Sequence, residues 1–172
     1  RELMAQAAKM EKTGLPLTHV DSHQHMHMLP GVIDISLDVA ASLHLDAVRI
    51  SRTPLFTAFA GMGQLIGRLG LFTLSELSLW KAKRRHFRVP EHFEGIVAGE
   101  AVHEGHFLHI LKDLRPGTTE VMMHPGTDNS RLIPACDWEH DFEAEMQAIV
   151  SPKVRRMIAD KAVKVVNYRD LK

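Results

Sequence analysis

The chain has 172 residues, 45% of them hydrophobic, enough to bury a core of one domain or a large part of one. Its 21 basic and 21 acidic residues give a formal net charge of +0, which argues against a general nucleic-acid binder or a protein of anionic membrane surfaces. One cysteine, Cys136, excludes an internal disulfide and a thiolate metal cage, and a reducing compartment, the cytoplasm, is the expected location.

In chain order, residues 1–13 read as the end of an amphipathic helix stopped at Gly14 and Pro16. The chain opens on Arg1 with a helix before its first strand, and is expected to be the C-terminal part of an N-terminally truncated single domain. Leu17–Asp21 is predicted as a short strand, Gly31–Leu43 as a helix after Pro30, and Asp46–Ile50 as a second strand. Ala60–Lys83 reads as helix rich in glycine, and glycines break the apolar-leaning stretch Leu55–Leu79 well short of a membrane span. Phe87–Ile96 contains an extended piece, Glu100–Leu114 a helix and Thr118–Met123 a third strand. Helices follow at Trp138–Val150 and at Pro152–Asp160, where proline suits the first turn, and Lys161–Val166 is predicted as a last strand. Alternation of this kind implies an α/β fold with parallel strands joined by crossovers.

The densest chemistry lies in His19–Pro30, HVDSHQHMHMLP. His19, Asp21, His23, His25 and His27 share one parity, and on an extended segment they would point to one face. An acid and several imidazoles converging there can bind a divalent metal and move protons. His23, Arg49 and His124 each follow a predicted strand near its C-terminal end, the catalytic face of parallel α/β barrels. Arg49 reads equally well as a surface or helix-pairing arginine. His124 leaves its strand abruptly through His-Pro-Gly, while Asp128 in the same loop reads as a turn or capping residue. His103, His106 and His109 fall at steps of three on one helix face; HEGH has the wrong spacing for a zinc-protease motif, so a solvated face is expected. Gly61-Met62-Gly63 lacks the spacing of a dinucleotide fingerprint. Trp80 and Trp138 read as packing residues, with sugar stacking open to one of them.

The segments HVDSHQHMHMLP, AVRISRTP, EHFEGIVAGE and TEVMMHPGTD occur in the order seen in YdjC-like carbohydrate deacetylases, a family similar to the chito-oligosaccharide deacetylases. The closing WEHDFEAEMQAIVSPKVRRMIADKAVKVVNYRDL resembles the same family, most of all the branch associated with hopanoid biosynthesis. The resemblance covers nearly the whole chain, and DSHQHxHxLP is its most specific element. It implies part of a distorted or incomplete (β/α) barrel of the sugar-deacetylase kind.

By the same resemblance, His23 is a metal ligand and His124 is the histidine of the C-terminal His-Pro motif. The family's Asp-Asp-Phe-Gly strand, source of a metal-binding or basic aspartate, and its later His-Leu segment, source of a second metal histidine, do not occur here. The implied reaction is hydrolysis of an N-acetyl amide on a sugar, with a divalent ion (Mg or Zn) as cofactor and His124 as the acid that protonates the leaving amine. Asp21, His25, His27 and Arg49 are expected to orient the groups around the metal or to bind substrate. The expected partner is an N-acetylated sugar, with no nucleic acid and no membrane span. An open sheet edge would make the isolated chain prone to associate, a homo-oligomer included. Two other readings stay open: a non-catalytic carbohydrate-binding or assembly protein keeping the fold, and an amidohydrolase-like barrel enzyme. The second is disfavoured because it needs its HxH on the first strand.

Overall fold

The computed structural model describes residues 1–52, 62–96 and 101–171. The chain forms two compact units, one of residues 1–91 with 166–172 and one of residues 92–165. Among the described residues no helix is long and apolar enough to cross a membrane.

Among the described residues the first unit holds three α-helices, α1 (Glu2–Glu11), α2 (Val32–Ser42) and α3 (Met62–Arg84). In α2, Ile33, Leu37 and Ala40 recur at i, i+4 and i+7 and are fully buried. They join Met28, Val48, Ile50, Ala82 and Phe87 in one core. Beside this stripe α2 carries Asp34 and Asp38, four residues apart. They pair with Lys81 of α3 (2.6 Å) and with Arg85 just past its end (2.7 Å), themselves four apart, so charge spacing matches the two segments in register. Helix α3 agrees with the predicted Ala60–Lys83, whose first two residues lie outside the described ones, as does Gly61 of the rejected fingerprint.

The strands predicted here are shorter than expected. Leu17–Asp21 contributes a single parallel bridge, Val20 to Val48, and Asp46–Ile50 adds one more, Ala47 to Arg88. Four backbone hydrogen bonds of 2.7–3.2 Å hold these three extended segments side by side. The closing residues return to the same unit, where Arg88 donates to the carbonyl oxygens of Arg169 and Leu171 and His19 stacks on Tyr168 at 3.7 Å.

In the second unit, β1 (His92–Glu94) and β2 (Thr119–Val121) pair in parallel, with helix α4 (Glu104–Lys112) between them in sequence. Within Phe87–Ile96 the extended backbone makes the Arg88 bridge and the three-residue β1, and α4 begins inside the predicted Glu100–Leu114, whose first residue lies outside the described ones. Gly95 leaves β1 with φ +99, and a Cβ there would stand 2.9 Å from the backbone nitrogen of Met122, closer still to its oxygen. Only glycine permits β1 and β2 to meet at that point.

Three helices follow: α5 (Asn129–Cys136), α6 (Phe142–Val150) and α7 (Pro152–Asp160). The last spans the predicted residues, with Pro152 in its first turn and Ser151 as its cap. Helix α6 starts four residues later than predicted, because the Asp141 side chain accepts from Ala144 N–H and caps it. Helix α5 was not predicted, since Pro134 lies inside it and reads as a breaker. Asp128 caps it, accepting from Arg131 N–H, the turn-or-cap role expected of that residue. The predicted strand Lys161–Val166 is not one: the segment is irregular and Val165 is 75% exposed, because its valines find no ladder partner among the described residues. Among the described residues every strand pairing is parallel, which bears out the α/β class and is consistent with part of a (β/α) barrel.

Candidate functional site

Two groups of candidate residues exist, one in each unit. In the first, His19–Pro30 does not stay extended. His23–Met28 winds into tight 3-10 turns, with Gln24 at φ +50 and His25 at φ +58. The parity argument therefore fails, since at about three residues per turn alternate side chains no longer share a face. The turn closes on Ser22, whose Oγ accepts from His27 N–H at 2.8 Å. His27 is drawn inside at 2% exposure, with both ring nitrogens engaged. Its Nε2 lies 2.7 Å from the Arg49 carbonyl oxygen, and a carbonyl only accepts, so Nε2 carries the hydrogen. Nδ1 meets the Ser22 hydroxyl at 2.8 Å.

His25 Nδ1 meets the hydroxyl of buried Ser51 at 2.7 Å. The Arg49 guanidinium donates to the Asp21 carboxylate, whose other oxygen lies 3.9 Å from His27 Nδ1. Asp21, His25, His27 and Arg49 thus knit the turn to the extended segment after Val48. His23 stands apart from these contacts, with its side chain exposed.

In the second unit, His124 follows β2 as expected of a residue at a strand's C-terminal end. The loop after it is held by close packing. Gly126 N–H donates to the Phe142 carbonyl at 2.9 Å, and a Cβ on Gly126 would collide with a Leu132 methyl. Beneath the loop lies Glu145 of α6, 1% exposed. Its carboxylate accepts from the backbone N–H of Val102, at 2.9 Å, and from that of His124.

His140, 6% exposed, stacks on Trp138 at 4.1 Å, and its ring meets that of His124 edge-on at 5.5 Å. His140 Nε2 is 3.2 Å from Glu145 Oε1 without forming a hydrogen bond to it, and no other group among the described residues hydrogen-bonds to it. One ligand atom each from His124, His140 and Glu145 lies within 4.8 Å of the others. Among the described residues this is the set of three that suits a metal ion, and His23 is not part of it. His103 instead caps α4 and His109 pairs at the surface with Asp113, so neither joins a metal set.

Sequence reasoning missed His140 and Glu145. A signal for the glutamate was present: Phe142, Glu145 and Ala148 recur at steps of three along α6, and all are buried. An acid inside an apolar stripe is costly unless something receives it.

The matched family decides the relationship of the chain. A family model described as YdjC-like protein matches residues 1–160. The chain belongs to the YdjC-like family. Among curated YdjC-like relatives, a carbohydrate deacetylase of Thermoanaerobacter pseudethanolicus is 26% identical over 171 residues, 99% of this chain and 59% of that protein. The carbohydrate deacetylases of Mus musculus and Homo sapiens are 28% and 27% identical, across 99% and 94% of this chain and 61% and 55% of their own. The chain therefore spans about three-fifths of the length of these YdjC-like relatives. No solved structure gives a significant match.

Proposed function

We propose that this YdjC-like chain serves hydrolysis of an N-acetyl group on a sugar or oligosaccharide. The observation that carries this reading is the match, along 94–99% of the chain, to relatives named carbohydrate deacetylase. That match takes in both the His23 turn and the His124 loop.

A divalent ion, magnesium or zinc, would lower the pKa of a bound water and polarise the acetyl carbonyl. The exposed His23 imidazole fits one place in the first shell of such an ion, as the family resemblance assigns it. Asp21 and Arg49 hold each other next to that turn, and His25 and His27 lock it to the segment after Val48, so they act as positioning residues. His124 gives a proton to the departing amine. Its place rests on the backbone, because Glu145 receives its N–H and Gly126 pins the next turn. Exposed Trp138 beside the cluster offers a flat face for a sugar ring. The single, exposed Cys136 suits work in the cytoplasm.

The test is a pair of variants of the full-length protein, assayed on N-acetylated chito-oligosaccharides with metal content measured in parallel. His124→Ala should lower turnover by roughly 10²–10⁴, the usual loss for a general acid. His23→Ala should lose activity together with magnesium-dependent rescue. Sugar binding without turnover in the unmutated protein would favour a non-catalytic carbohydrate-binding role instead.

A further inference from the structure

We propose that His124, His140 and Glu145 form a binding site for a transition-metal ion of the zinc class, and that an ion held there withdraws the His124 imidazole from proton transfer. The second half rests on the acid role proposed above for His124; the first stands on geometry alone.

The three donors are two imidazoles and one carboxylate, with their ligand atoms within 4.8 Å of one another. A metal with bonds of about 2.0–2.2 Å spans donors up to roughly 4 Å apart, so modest side-chain rotations close the set. His140 supplies the independent sign. Its Nε2 is buried without a hydrogen-bond partner although Glu145 Oε1 lies 3.2 Å away. A buried polar atom left in this way wants a ligand. Coordination satisfies it without the alignment that a hydrogen bond to Glu145 demands.

Glu145 adds the charge. Its carboxylate is buried and receives two backbone N–H groups, neither of which carries a full positive charge. Its ion-pair partner among the described residues is His140, charged only when protonated. A divalent cation would neutralise the carboxylate where the backbone dipoles only moderate it.

The surroundings hold the donors in place. Trp138 stacks on the His140 ring with planes 23° apart and Phe142 meets it edge-on, so little freedom is lost when the ring ligates. Two imidazoles with one carboxylate select zinc, cobalt or nickel over magnesium or calcium, and leave a fourth position for water. A ring nitrogen bonded to the metal has no proton to give.

The experiment titrates cobalt(II), then zinc(II), into chelator-treated full-length protein and reads the visible absorption of bound cobalt. His23→Ala is the background, which removes the ligand assigned by resemblance. In that background one equivalent of cobalt should bind and be displaced by zinc. Adding His140→Asn, close in size and polar, should weaken cobalt binding at least tenfold, with circular dichroism confirming the fold. Cobalt binding that vanishes in His23→Ala alone, or survives His140→Asn unchanged, overturns the site.

With the unmutated protein under magnesium, added zinc should slow deacetylation, and His140→Asn should abolish that inhibition. Inhibition equal in both overturns the second half. If no N-acetyl sugar is hydrolysed at all, the proposed function and the second half fall together, while the cobalt titration still decides the site.

Discussion

Glu145 has the most to lose at the level of single residues. Truncation to Ala strands two backbone N–H groups, those of Val102 and His124, away from water. Each stranded donor costs about 1–3 kcal/mol, so Glu145→Ala should lower unfolding stability by roughly 3 kcal/mol or more in urea. Glu145→Gln keeps one acceptor and should lose about half as much. A loss below about 0.5 kcal/mol for the alanine variant would show that the carboxylate does not hold both loops.

Gly126 is a comparable point in the same loop. Gly126→Ala drives a methyl into Leu132 and Phe142 and should destabilise by about 1–3 kcal/mol, the usual range for overpacking, with a parallel fall in turnover. His124 and Asp128 were legible because each carries a local sign, an abrupt His-Pro-Gly exit and a helix start. His140 was not, since its meaning comes from Glu145, Trp138 and His124, groups brought to it only by folding.

Helix α6 is an element whose start and function are linked, because it carries Glu145 three residues beyond its first. Its cap, Asp141, hydrogen-bonds the Asn129 side chain and Ala144 N–H, which hold its carboxyl below the ordinary aspartate value. The folded form thus binds a proton less readily than the unfolded one. The cap's contribution is full above the unfolded aspartate pKa of about 3.9 and fades as the pH falls through the lower folded value. Glu104, held down by the Ser151 hydroxyl and by Lys153, titrates with the same sign where α4 meets the start of α7. Glu94 runs the other way: burial raises its carboxyl, so its contribution declines as the pH rises through that range.

Asp141→Asn keeps an oxygen for the cap and removes the charge. Urea midpoints measured from about pH 6 to about pH 3 should fall less steeply for this variant than for the unmutated chain. Equal slopes would mean the cap does not titrate with folding. At this scale the helices were legible from their spacing and caps, as α2 and α7 illustrate. Thr118–Met123 was legible too, since it contains β2, but the extents of the other strands were not: Leu17–Asp21 and Lys161–Val166 have suitable residues, and a strand's length is set by its partner's.

For the whole molecule, each unit carries one tryptophan, Trp80 in the first and Trp138 in the second. Alternation predicted the α/β class, but nothing in the local pattern marks residues 166–172 as belonging with residues 1–91. That tail contributes buried Leu171, the Tyr168 stack on His19, and an Arg169 hydrogen bond of 2.9 Å to the Pro16 carbonyl. Removing residues 167–172 should destabilise the first unit by about 2 kcal/mol or more, from Leu171 burial and the lost hydrogen bonds. Trp80 fluorescence in a Trp138→Phe background would report it, and an unmoved midpoint would show that the tail adds nothing.

The same tail has a consequence for biogenesis. On the ribosome, residues 1–91 emerge before residues 166–172, yet the carbonyls that receive the Arg88 guanidinium belong to Arg169 and Leu171. At about 5–20 residues per second, the 74 residues of the second unit separate those two events by roughly 4–15 s of translation. During that interval the nascent first unit has its helices but not its closing segment, and the backs of His19 and Pro16 are open. The histidine-rich turn is therefore made seconds before the segment that seals it, an interval in which it stands open to water and to other chains.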